Sequence, residues 1–127
     1  MKFEIRYPPA YSLLVVTLNP GEAITAEAGS MTYMQPTIVV KTRKREKGFL
    51  GTLGMALLGG QSFFVNDFTA TTRSGEAAFS AAPIGDIDKL EIRPDQGFII
   101  QKSAFVASDA TVLLDVQWQG FTKGLFG

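Results

Sequence analysis

Apolar and polar positions alternate along this chain in short runs, and turn residues separate the runs. Phe3 and Ile5 alternate with Glu4 and Arg6, which predicts a half-buried first strand ended by Tyr7-Pro8-Pro9. Residues 13–18 are apolar on both faces, the pattern of a central strand. Asn19-Pro20-Gly21 then turns the chain, because proline presets φ and glycine accepts a positive one. Strand patterns follow at 23–28, 30–34 and 38–43, with breaks at Gly29 and Pro36. Phe64, Asn66 and Phe68 alternate with Phe63, Val65 and Asp67. Arg73-Ser74-Gly75 reads as a hairpin turn before a strand at 77–80. After the punctuation Pro83-Ile84-Gly85, strands are expected at 87–92, 98–101, 104–107 and 112–116. About ten short strands at this spacing predict one all-β domain over 1–127, an antiparallel sandwich or roll. A single stretch departs from the pattern. Leu50, Leu53 and Leu57 share a helical face, so 49–58 is expected as the one short helix, weakened by Gly51 and Gly54.

Composition narrows the chemistry. At 127 residues and 46% hydrophobic, the chain has enough apolar side chain for a core. Cysteine and histidine are both absent. Thiolate nucleophiles, disulfides, cysteine zinc sites and histidine-based triads are therefore excluded. No S-x-x-K occurs for a serine–lysine pair, and Lys102-Ser103 would point to opposite faces of a strand. Gly54 and Gly59 have the glycine spacing of a phosphate loop, but Gly60 and Gln61 stand where lysine and a hydroxyl are needed. Asp86, Asp88 and Glu91 bring carboxylates close together, with too few further oxygen ligands for a hard cation. The residues thus predict no enzyme, no cofactor and no metal.

Charge is the remaining feature. The 12 basic and 12 acidic residues cancel. Within 41–47, however, Lys41, Arg43, Lys44, Arg45 and Lys47 stand against Glu46 alone, a local net charge of +4. The rest of the chain sums to −4, unlike a general nucleic-acid binder, which carries its basic surplus over the whole domain. These five residues are the candidate contact for an anionic surface, with Phe49, Leu50, Leu53 and Leu57 placed to insert at a membrane interface. Nucleic acid is the less favoured partner, since Phe49 is the one aromatic close to the charge. No apolar run approaches the 18 or so residues of a membrane span, and the first residues lack a secretory pattern. A cytoplasmic location is the expectation.

Several segments also resemble a known family. Pro20-Gly21-Glu22, Ala26-Glu27-Ala28-Gly29-Ser30-Met31, Gly59-Gly60-Gln61-Ser62-Phe63-Phe64 and Gly85-Asp86-Ile87 occur in its order. Gln101-Lys102-Ser103-Ala104-Phe105 with Ala107-Ser108 completes them. The run resembles the prokaryotic relatives of the mitochondrial-biogenesis (altered inheritance of mitochondria) proteins. That resemblance implies a β-sandwich similar to the tryptophan RNA-binding attenuation protein. It also implies a ring-shaped homo-oligomer, a trimer for longer duplicated members and a hexamer for a half-length chain such as this one. The expectation is a non-enzymatic oligomeric scaffold or binding module, and by the same analogy RNA or a small ligand bound between subunits is the alternative. The family motif transfers no catalytic residue. Its glycines and aromatics read as structural, with Gly29 and Gly85 where a Cβ would obstruct and Phe63, Phe64 and Phe105 burying rings in the core or at a subunit interface.

Overall fold

The computed structural model describes residues 1–44, 64–81 and 83–114. The helix expected at 49–58 lies outside them. The described strands are β1 (Lys2–Arg6), β2 (Leu13–Leu18), β3 (Ala23–Glu27), β4 (Met31–Met34), β5 (Ile38–Lys44), β6 (Phe64–Ala70), β7 (Gly75–Phe79) and β8 (Ala107–Asp109). They form two four-stranded antiparallel sheets, ordered β1-β2-β7-β4 and β5-β6-β3-β8. The class is all-β as expected, with eight described strands.

Alternation explains how the layers meet. Val16 and Leu18 of β2 project to the same side as Ala77 and Phe79 of β7. They pack against Ile24, Ala26, Ile38, Phe68 and Ala70 of the second sheet. Phe68 and Phe79 meet edge to face across this interior, with ring centroids 4.9 Å apart at 76°. Such a contact adds to the apolar area that both rings bury.

Among the described turns, only β1–β2 joins neighbours in one sheet. Residues 19–22, 28–30, 35–37 and 71–74 each carry the chain from one layer to the other. The hairpin expected at Arg73-Ser74-Gly75 is therefore a crossover. The reason lies in pairing: β6 is already flanked by β5 and β3, and β7 by β2 and β4. Gly75 is needed there because a Cβ would meet Thr37 Oγ1 and come within 2.8 Å of Ile38 Cγ1. Gly29 is used differently, at φ 92° with open space around it. Gly85 has no crowding either, so the obstruction expected at Gly29 and Gly85 belongs to Gly75.

The larger correction concerns 83–106. The strands expected at 87–92 and 98–101 are irregular and, apart from half-buried Ile87, exposed. The stretch expected as 104–107 splits into a 3-10 turn at Lys102–Ala104 and the start of β8. Residues 112–114 are irregular, and 115–116 lie outside the described residues. A strand needs a neighbour for its main-chain groups, and no described strand pairs with this segment.

Candidate functional site

Among the described residues β5 is an edge strand, paired with β6 on one side. Val40 packs against the core, so by alternation Lys41 and Arg43 lie on the opposite, outer face. Lys41 is exposed and stands opposite Asp67 of β6 in the register. Arg43 is committed internally. Its Nη2 donates to Asp67 Oδ1 at 3.0 Å, and its Nε lies 2.5 Å from Asp67 Oδ2 as an ion-pair contact off the hydrogen-bond axis. Thr25 Oγ1, on β3 and 1% exposed, donates to the same Asp67 oxygen at 2.6 Å. Arg43 thus ties three strands of the outer face together. Ser108, opposite Thr25 on β8, keeps a buried hydroxyl with no partner among the described residues. Lys44 pairs with Phe64 in the register, while Arg45 and Lys47 lie outside the described residues. Phe64 is 42% exposed rather than in the core.

The second feature is the open segment. It is held at one end where Ser12 N donates to Gly85 O at 3.1 Å and Ser12 Oγ to Asp86 Oδ1 at 2.7 Å. At the other end Glu27 N donates to Val106 O at 2.9 Å. Between them Ile84, Leu90, Ile92, Phe98, Ile99 and Ile100 are 46–73% exposed. A turn closed by Gln96 N to Arg93 O at 3.0 Å, with Pro94 preset for it, divides the stretch into two arms. Asp86, Asp88, Glu91 and Asp95 outnumber Lys89 and Arg93, and none of the four is in an ion pair with a described residue. Lys89 Nζ sits 5.7 Å from the Phe3 ring centroid, a cation–π distance.

A shallow depression of about 200 Å³ lies beside the Ser12 anchor, lined in part by Tyr11, Thr32, Ser80 and Ile84. Thr32 and Ser80 hydroxyls hydrogen-bond across it at 3.1 Å. It is smaller than the clefts of about 300–1,000 Å³ that enclose organic ligands. Among the described residues no group of three or more acidic side chains could hold a metal ion. Asp86 Oδ1 instead accepts from Ser12 and from Ile87 N at 2.9 Å.

The recurrent sequence pieces act as fasteners. Glu22 of Pro20-Gly21-Glu22 accepts Asn19 N at 2.7 Å and the Met1 amino group at 2.7 Å. The amino-group hydrogen bond, aided by the Asn19 N–H, holds its carboxyl below the usual range. Ser30, after Gly29, donates to Glu27 O at 2.8 Å and is 2% exposed. Tyr33 donates to Glu76 Oε2 at 2.8 Å, which raises the phenol above its ordinary pKa. The sequence reading missed Asp67 as the partner of Arg43. A lone carboxylate inside an apolar strand was the available signal, since it needs a cation or donors when part-buried.

Comparison with known proteins agrees with the fold. A crystal structure of a Streptococcus pyogenes protein superposes with a TM-score of 0.58 at 21% identity, covering 86% of this chain and 50% of that one. The chain thus spans about half the length of that structure, and the likeness concerns the fold alone. Among curated proteins none matches. No described helix is long and apolar enough to cross a membrane. The sequence model of the family described as mitochondrial biogenesis AIM24 matches residues 3–127. The chain belongs to the AIM24 mitochondrial-biogenesis family.

Proposed function

We propose that the chain is a non-enzymatic, self-associating binding module that meets an anionic surface through Lys41, Lys44, Arg45 and Lys47, with Arg43 of the same run held by the fold. The observation that carries this reading is β5, an edge strand among the described residues, where Lys41 is exposed and has no described ion-pair partner. Arg43 serves the fold through Asp67, so Lys41 and the charges of 44–47 supply the contact. The lack of histidine and cysteine supports binding over catalysis. The six exposed apolar side chains of 84–100 support self-association, because apolar surface of this kind marks interaction sites.

The test replaces all five basic residues with glutamine. Self-association is followed by light scattering, and surface contact by co-sedimentation with vesicles of anionic phospholipid. Loss of either property is expected. A variant that retains both removes the basic segment from the function.

A further inference from the structure

We infer that the depression beside the Ser12 anchor is a binding site for one ring of a neutral sugar, a pyranoside stacked on Tyr11 and held by Thr32 and Ser80. The inference goes beyond the anionic-surface reading, since these residues stand at the first sheet and β5 belongs to the second.

The fold builds the site from three directions. Leu14 and Phe79 face the core, so by alternation Leu13 and Ser80 lie on the outer face of the first sheet. Thr32 falls in the register break of β4, between Met31 opposite Phe79 and Tyr33 opposite Ala78. An irregularity of this kind re-aims a side chain, and here the Thr32 hydroxyl comes within 3.1 Å of Ser80 Oγ. Ser80 is held in turn by its N–H, which donates to Ser30 O at 2.8 Å. Ser12, 4% exposed, fixes the wall at Gly85 through its bonds to Gly85 O and Asp86 Oδ1.

The lining sets the class of ligand. No described charged side chain lines the depression, so a phosphate, a carboxylate or an ammonium would find no counter-charge there. The Thr32–Ser80 pair shares one hydrogen, which leaves the second hydroxyl hydrogen and the free lone pairs for a ligand. Leu13, Ala81 and Ile84 add apolar wall. Tyr11 borders the same depression, 70% exposed, with no hydrogen-bond partner for its phenol among the described residues. Its ring offers a flat apolar face with a polar tip. A pyranoside is the matching molecule, because it is uncharged, with C–H groups on one face and hydroxyls around its edge. At about 200 Å³ the depression seats one such ring rather than enclosing a larger ligand.

The experiment is saturation-transfer-difference NMR on the 127-residue chain. Methyl β-D-glucopyranoside, methyl β-D-galactopyranoside and methyl α-D-mannopyranoside are the probes, with glycerol as a hydroxyl-bearing molecule that has no ring face. A signal that saturates at millimolar sugar, strongest on the C–H protons of one ring face, is expected from at least one pyranoside. Tyr11→Ala and Thr32→Val should each weaken that binding about three- to tenfold. Both positions are exposed, so an unchanged thermal transition serves as the folding control. The variant with glutamine at the five basic positions of 41–47 should bind the sugar as the parent does.

Absence of a saturating signal from all three pyranosides overturns the inference. A signal that both substitutions leave unchanged, or an equal one from glycerol, overturns it as well. Loss of sugar binding in the glutamine variant would move the contact to the basic segment and remove this site.

Discussion

The two-sheet sandwich and the segment 83–106 draw on the same apolar residue types, with opposite results. In the sandwich, Val16, Leu18, Ile24, Phe68 and Phe79 lie at alternate positions on strands whose main-chain groups are all facing a neighbour. In the open segment, Leu90, Ile92, Phe98 and Ile99 show comparable hydrophobicity and remain half or more in solvent or close to it. The difference is that the first group lies on strands paired on both sides and the second on a segment that no described strand pairs with. Burying a side chain on a sheet requires that the backbone beside it be hydrogen-bonded, which no described strand offers this segment. Apolar pattern alone does not make a strand.

The comparison can be broken most severely in the core. Phe79→Ala removes one of the two rings that meet between the sheets and should cost about 3–5 kcal/mol in urea unfolding. A cost under about 1 kcal/mol would mean that the layers are not locked there. Gly75→Val should cost about 1–3 kcal/mol by overpacking against Thr37 and Ile38, measured the same way. If stability is unchanged, the crossover from β4 does not press on β7.

On the outer face, Asp67→Ala leaves Arg43 and Thr25 without their shared acceptor. Because the pair is partly exposed, with side-chain exposures of 34% and 23%, a loss of roughly 1 kcal/mol is expected. Asp67→Asn should retain part of it. The open segment should respond very differently. Ile99→Ser should change monomer stability by no more than about 0.5 kcal/mol, yet weaken self-association in sedimentation. A core-sized stability loss would show that the segment is packed within the chain.

The smallest effect concerns pH. The folded-state pKa of Glu22 is lowered, so its contribution is present above the ordinary carboxylate range and fades as pH falls through the folded value. Acid unfolding of Glu22→Gln, followed by circular dichroism, should show a slightly shallower decline below that range than the parent. A parallel pair of curves would remove Glu22 from the acid response.

Much of the sandwich was legible because its signals are local. The alternation at 3–6 and the two-faced apolar run at 13–18 became β1 and β2, and Asn19-Pro20-Gly21 became a turn with Gly21 at φ 86°. Residues 38–43 were read as a strand and form most of β5. Which strands are neighbours was not legible. The turn at 73–75 has hairpin residues whether the chain pairs with itself or crosses to the other sheet, and prior occupancy of β6 and β7 decides between them. The candidate site shows the same division. The cationic run was plain in the sequence, but Arg43 is a structural residue because Asp67 and Thr25 stand beside it on neighbouring strands.

The sequence by itself determined the class, the strand-forming segments, the charge asymmetry and the chemistry that is excluded, since these depend on residue type and on neighbours a few positions away. Only the tertiary structure decided that Gly75 is the crowded glycine, that Arg43 is paired, and that 86–101 has apolar arms without a sheet. Each of these depends on contacts between residues distant in the chain. Pairing competes for a limited number of edges, and that competition is settled by the whole fold rather than by any local stretch.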